Sequence, residues 1–390
     1  MLEVGRIAPD IDNLGRERAS FVAGIPEEFR IADEVMVQIA NDLAAAREKM
    51  QQAKTSWLTS LFDEPPNTIH KLSEVPLEYA VTATDGSQVM PDKHEVTFCY
   101  LLNTSSVIIY YGNGDRPVAD TRPKLYYKED DLFESPYGGR RARMNEKLIG
   151  IRRTLAESTH MRDAICAAVA SGIPTVALWD GSLIRWSLEG EPQDYRERVL
   201  KEYLQLFEMA RELGVPVAGY ISDPGSGDVV NSLRIMLCHE DKVDCDCCPH
   251  ERSNESRPCD TVVHLRDVSI FRRLLRAGDR SALFRSASKI LDYYGDHRTL
   301  AFYLHTGREI ARIEIPKWVA DSPMLLNLVH AVCYDQAQKG RGYPVALAQA
   351  HEHAVIRHQE ARIFYEMVER ALVKHGAPVT YSLKRLSKAY

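Results

Sequence analysis

Two stretches, TATDGSQV (Thr82 to Val89) and VALWDGSLIRW (Val176 to Trp186), share one pattern: an apolar or β-branched run that reaches Asp-Gly-Ser. Asp85 follows Val81-Thr82-Ala83-Thr84, and Asp180 follows Val176-Ala177-Leu178-Trp179. Runs of this composition read as buried strands, so each aspartate stands where a strand leaves the core. The glycine behind it permits a tight turn or the close approach of a ligand, and the serine hydroxyl can hold the turn or the carboxylate. A single Asp-Gly between apolar runs is a hairpin signal. Here the second copy is preceded by the helical stretch Glu146 to Ala170 and by Gly172-Ile173-Pro174, which makes it a strand reached by a crossover. If the two strands are neighbours, two carboxylates come within reach of one divalent cation.

Working outward, a helix of about Gln193 to Leu213 leads into GVPVAGYISDPGS, which repeats the order helix, glycine, apolar strand, turn. Such alternation predicts an α/β sheet with helices on its faces. VTFCYLLNTSSVIIYYGNG (Val96 to Gly114) predicts two or three antiparallel strands, with turns at Asn103-Thr104-Ser105 and Gly112-Asn113-Gly114. PKLYYKEDDLFESPYGG reads as a surface loop, and Gly138-Gly139 opens a helix carrying Arg140, Arg141, Arg143, Glu146, Arg152 and Arg153. That local basic cluster, lying between the two aspartate strands, is a candidate for phosphate contact.

The total of 390 residues allows a large core, and the formal charge of -6 excludes a uniformly basic polyanion binder while leaving room for basic patches. No apolar stretch approaches the roughly 20 residues that cross a bilayer, and the first 20 residues lack the order of a signal peptide, so a cytoplasmic, membrane-free protein is expected. Eight cysteines then read as buried thiols or a metal site. Cys238, Cys245, Cys247, Cys248 and Cys259, with His239, His250 and His264, fall in a polar stretch read as an insertion over 238–264. Cys238, Cys245, Cys248 and Cys259 are the candidate ligands of a structural Zn²⁺, with packed or exposed thiols and redox chemistry as the other readings.

Toward the start, Glu27 to about Ser56 reads as one polar helix with Ile31, Val35, Ile39, Leu43, Ala46 and Met50 on one side. That stripe wants either its own domain or a second subunit. From Asp267, two basic helices are expected, carrying Arg272, Arg273 and Arg276, then Arg285 and Lys289. Tyr343-Pro344 begins a long helix bearing His351. Two familiar motifs are incomplete. Asp223 to Gly227 lacks the Gly-Lys-Ser/Thr of a nucleotide loop, and His351-Glu352-His353 lacks the second zinc-peptidase histidine because position 355 is valine.

Oxygen ligands such as Asp85, Glu146 and Asp180 suit Mg²⁺ or Mn²⁺, and a histidine tilts the preference toward Mn²⁺. In ordered signature, Asp85 in TDGS, Glu146 in the arginine-rich helix, Asp180 in WDGS, and Tyr343 with His351 in GYPVALAQAH, the sequence resembles the NurA nuclease family from about Tyr79 to His375. The resemblance implies a ribonuclease H-like mixed sheet flanked by helices, here with a long N-terminal helix and the Cys-rich insertion. It implies a helical extension over 1–74 and a nuclease domain over 75–390. It implies Asp85, Glu146, Asp180 and His351 as metal and catalytic residues with Tyr343 nearby, Glu157 being the other glutamate on that helix. The implied activity is Mn²⁺-dependent single-strand endonuclease and 5′-to-3′ exonuclease action on DNA, with Mg²⁺ as the other ion. The implied assembly is a homodimer working with a HerA-type hexameric ATPase in recombination repair. A non-catalytic DNA-binding or scaffold subunit of an end-processing complex is the alternative.

Overall fold

In the computed structural model the two Asp-Gly-Ser strands are parallel neighbours, paired from Ala80↔Thr175 to Thr84↔Trp179. The structure describes residues 3–90, 99–137, 140–240, 242–248 and 257–377, with the backbone alone for 18–24 and 136–137. The chain forms two compact units, one of 1–72, 222–289 and 300–313, the other of 73–221, 290–299 and 314–390. This division differs from the expected boundary after residue 74, because the N-terminal helix shares a unit with segments from the middle of the chain.

The second unit carries strands β1 (Tyr79–Val89), β2 (Tyr100–Tyr111), β3 (Val118–Tyr126), β4 (Thr175–Asp180) and β5 (Val217–Ile221) in the order β5-β4-β1-β2-β3. The first three of that order are parallel and the last two antiparallel. Parallel neighbours need crossovers. They are supplied by α1 (Glu146–Val169) before β4 and α2 (Gln193–Glu212) between β4 and β5. Further on come α3 (Pro323–Lys339), α4 (Val345–Ala354) and α5 (His358–Lys374). This is a mixed sheet flanked by helices. Asn145 starts α1 by accepting the Leu148 amide at 3.0 Å, and the apolar sides of α1 and α2 share one core with Trp179 and Val217.

Side-chain alternation divides the helices between the two faces of the sheet. Gly86 and Thr104 face α1, where Thr104 meets His160 at 3.1 Å. Ser87, Asn103 and Ser105 face α4. Ser87 and Asn103 donate to the Ala354 carbonyl at 2.5 and 2.9 Å, and Ser105 donates to the Ala350 carbonyl. Two sheet hydroxyls and one amide therefore hold the end of α4, and the Ala354 carbonyl that two of them reach has no partner within the helix.

Several expectations are corrected. β2 runs straight through Asn103-Thr104-Ser105, because each of these residues spends its polar group on a helix or histidine beside the sheet instead of on a turn. The turn at Gly112 to Gly114 is present, with both glycines at φ +82°. Arg140–Arg143 is a strand paired with Phe133–Tyr137, so the helix begins at Glu146. The segment with Arg285 and Lys289 is a strand, Phe284–Ser286, followed by a short 3-10 turn.

In the first unit, helix Val4–Asn41 is broken at Asp42, whose side chain caps a new helix, Leu43–Gln52, through the Ala45 amide at 3.0 Å. Val35, Ile39, Ala46 and Met50 are buried there against Leu233, Phe271 and Tyr303. The stripe thus packs on its own unit. By contrast Val4, Ile7, Ile11 and Leu14 on the first turns are exposed, at spacings of three and four. Within the same core, Asp267 accepts the Val229 and Val230 amides and the Tyr303 hydroxyl, and burial pushes its carboxyl up to about 6.

The cysteine stretch is not a separate lobe in its described parts. Cys245 N donates to the Lys54 carbonyl at 2.8 Å, and Val243, Val262 and Leu265 join the core of the first unit. His250 lies outside the described residues, as does the basic tail from Ser382. The Cys245 thiol is raised by burial and then by the thiols of Cys238, Cys259 and Cys248, so these four are near one another while Cys247 is exposed. Among the described residues no group of three or more His, Cys, Asp or Glu is arranged to hold a metal ion, and no helix is long and apolar enough to cross a membrane.

Ser105→Ala should remove the buried hydrogen bond from the sheet to the Ala350 carbonyl and cost about 0.5–1.5 kcal/mol. Urea denaturation is expected to show a lower midpoint with an unchanged slope, and an unaltered midpoint would remove this anchor from the account of α4.

Candidate active site

Asp180 ends β4, and Gly181 turns the chain there at φ +85°. The loop that follows is tied down: buried Glu314 accepts from Ser182 Oγ at 2.7 Å and from the Leu183 amide at 2.9 Å, and Tyr294 accepts the Arg185 amide at 2.8 Å. Here the triplet behaves as read from the sequence.

The first triplet behaves differently. β1 continues through Asp85-Gly86-Ser87 to Val89 with unbroken pairing to β2, so Gly86 makes no turn. Its missing side chain serves another purpose. A Cβ on Gly86 would lie 2.4 Å from Glu157 Oε1 and 3.0 Å from Arg153 Cγ. Only glycine lets α1 bring a glutamate this close to the strand.

Glu157, not Glu146, is the glutamate of α1 that joins the two aspartates. Glu146 is exposed at the first position of α1. Eleven residues at 1.5 Å each put it roughly 16 Å along the axis from Glu157, and an acid there complements the helix dipole. Glu157 is buried, 7% exposed, and pairs with Arg153 Nε at 3.1 Å. Burial pushes its carboxyl up to about 7, Arg153 opposes the rise, and the charges of Asp85 and Asp180 add to it. The sequence held a signal for this residue. Positions 157, 161, 164 and 168 form one helical stripe, and the other three are Met161, Ala164 and Ala168, all buried. A glutamate on an apolar stripe is the anomaly worth following.

His351 on α4 donates from Nδ1 to Asp85 Oδ2 at 2.8 Å, while Asp85 Oδ1 accepts the Gly86 amide at 2.7 Å. Tyr343, in the turn before α4, hydrogen-bonds Asp180 and meets the Tyr220 ring edge-on at 5.6 Å. Asp180 is open to solvent at its tip, yet the protein around it removes enough water to raise its carboxyl, and Asp85 adds to that rise. The structure thus places Asp85, Asp180, Tyr343 and His351 near one another, with Glu157 beside them and Glu146 apart. Each acid is turned onto a protein partner, His351, Arg153 or Tyr343, which accounts for the lack of a ready-made chelating geometry.

The arginines divide. Arg140, Arg141 and Arg143 are exposed on the hairpin strand, where Arg141 pairs with Glu129 at 3.0 Å. Arg152 turns inward to the Asp131 carbonyl at 2.7 Å and to Glu134, and Arg153 is committed to Glu157.

A model of the NurA domain matches residues 79–356, more than half of the chain. Among solved structures, the NurA nuclease from Sulfolobus solfataricus is 13% identical over 89% of this chain and 98% of that one, with a TM-score of 0.45. A structure of NurA with manganese is 12% identical over 77% and 90%, at 0.36. The catalytic domain of human Endonuclease V is 13% identical over 77% and 85%, at 0.31. No curated protein matches the sequence.

Because Glu157 titrates near 7 when folded and at its ordinary 4.5 when unfolded, the folded state binds the extra proton between those values. Stability therefore falls as pH rises through that window, by roughly 3 kcal/mol in all. Glu157→Gln should lose this slope. Denaturation in chelator at pH 4.5 and 7.5 is expected to stabilise the variant relative to wild type only at the higher pH; parallel pH profiles would refute the buried, protonated glutamate.

Proposed function

The chain belongs to the NurA family, and from that premise we propose that it is a divalent-metal-dependent DNA nuclease acting through Asp85, Glu157 and Asp180. The observation that carries the reading is the approach of Glu157 on α1 to Gly86, which follows Asp85, with Asp85 and Asp180 near enough to raise its proton affinity further. Like charges drawn together without enough counter-charge are the ordinary companion of a cation. The donor set fits a hard ion, with Asp85, Glu157 and Asp180 as oxygen ligands and His351 as the nitrogen that favours Mn²⁺ over Mg²⁺. Such an ion would supply charge neutralisation at the phosphoryl oxygens and an acidified water.

The chain's own groups have distinct parts in this reading. His351 and the Gly86 amide fix the two oxygens of Asp85, and Tyr343 orients Asp180. Burial raises the proton affinity of Glu157, and as a ligand it would bind the ion in its deprotonated form. The exposed Arg140, Arg141 and Arg143 are assigned to backbone contacts without base preference. Single-strand endonuclease and 5′-to-3′ exonuclease action, and work beside a HerA-type hexameric ATPase, belong to the same proposal. So does a homodimer, for which the exposed stripe Val4, Ile7, Ile11 and Leu14 is a better seat than the buried Val35 and Ile39.

The test is a panel of end-labelled DNA, RNA and hybrid strands with Mn²⁺, Mg²⁺ or chelator. Cleavage of DNA that requires metal and is lost, by 100-fold or more, in Asp85→Asn and Glu157→Gln is expected, with Glu146→Gln retaining most activity. Mn²⁺ should also raise the melting temperature of wild type and not of Asp85→Asn. DNA binding without cleavage in any metal would favour the non-catalytic subunit instead. Solution mass near twice 44.1 kDa is expected, falling to monomer in Ile7→Glu/Ile11→Glu; a monomeric wild type would reject the dimer.

A further inference from the structure

Next to the carboxylates, within the same unit, lies a cavity of about 550 Å³ whose lining includes Thr104, Arg122, Lys124, Tyr126, Arg152 and Arg198. One helix serves both places. On α1 the positions 152, 155, 156, 159 and 160 wall the cavity, while 153 and 157 turn to Gly86. Thr104 pairs with Gly86 across the β1–β2 ladder, so the cavity floor begins one strand, about 4.8 Å, from the residue after Asp85.

The lining is cationic at its rim and apolar within. Arg122, Lys124, Arg152 and Arg198 stand with Glu134 and Glu202, and Leu102 and Leu155 give the apolar part of the lining. Arg152 is held inward by the Asp131 carbonyl and lies 5.5 Å from the centre of the Tyr126 ring, so it stiffens the wall. Lys124 sits 5.0 Å over the same ring, and among the described residues no carboxylate is within ion-pair reach of it. Arg198 is half exposed and shares Glu134 with Arg152. Arg122 is held between Asp163 at 2.5 Å and Asp120 at 2.8 Å, the latter supported by the buried His160 at 3.2 Å. Rim ion pairs of this exposure are weak, about 0–1 kcal/mol, so a phosphodiester can take them over. Roughly 300–1,000 Å³ is the size of a small-ligand site, and this one has room for a nucleotide.

We propose that this cavity binds one nucleotide of the substrate strand beside the bond being cut, its phosphate on Lys124, Arg198 and Arg122 and its sugar and base over the apolar floor. The proposal rests on the nuclease reading for the strand's identity. Its chemistry, an anionic nucleotide against a cationic rim, is tested separately.

The test measures binding of a labelled single-stranded DNA decamer to the full chain in chelator, where no metal-dependent turnover occurs, across a salt series. Lys124→Ala/Arg198→Ala should weaken binding about tenfold at moderate salt and flatten the slope of log affinity against log salt by about 1.4–1.8. In Mn²⁺ the same variant should raise KM by a similar factor with kcat within about twofold, a split that mere loosening of the active site would not give. Should the alanine pair unfold, Lys124→Gln/Arg198→Gln is read in its place. Equal affinity and slope in wild type and a folded variant overturn the proposal, as does a wild type that binds no decamer. Binding lost as expected while no metal supports cleavage would keep the cavity and overturn the nuclease.

Discussion

The parallel register of β1 against β4 is the constraint from which the site follows. Pairing Thr84 with Trp179 sets Asp85 and Asp180 at adjacent strand positions, whatever the loops behind them do. A slip of one residue would turn either aspartate to the other face of the sheet. The register is secured by fully buried runs on both strands and by β2, which pairs with β1 along its whole length. Glycine at 86 then admits α1, and the glutamate one contact away completes the group.

Bringing a buried glutamate toward two aspartates works against folding. Desolvation and like charge both favour the protonated acid, and Arg153 offsets only part of this. The surrounding structure absorbs the cost in rigid parts: the tied loop from Ser182 to Arg185, the α1–α2 core, and the polar clamps on the end of α4. Glu157 and Asp180 keep a raised proton affinity despite their partners, and under the proposed function a cation would complete the group. The neighbouring cavity uses the same helix and sheet, so substrate contact and acid placement share one rigid wall.

How far the sequence reached depends on the range of the interaction involved. Local periodicity was enough for the helix at Gln193 and for the body of the helix after Glu146, though not for the latter's start, which the arginine-rich strand before it displaces from Gly138. Asp180-Gly181 read truly as a strand end because the turn is made by the glycine itself. Asp85-Gly86 did not, since its glycine answers to a helix some 70 residues away in sequence, a relation no local pattern encodes. Asn103-Thr104-Ser105 looked like a turn for the same reason: their polar groups are spent on α4 and His160, far along the chain.

By itself the sequence pointed to two strand-borne aspartates and a later Tyr-Pro helix with His351 as one group, because strand composition, Asp-Gly-Ser and the ordered signature are all written in short stretches. It also held four cysteines that come near one another without an arrangement that grips a metal among the described residues. Only the tertiary structure decided which glutamate of α1 joins the aspartates, which arginines face inward, and which apolar stripe of the N-terminal helix is buried. Each of those is a choice between residues of identical type on the same or a neighbouring element, and it is made by what packs against that face, which burial and close contact settle and one-dimensional spacing does not.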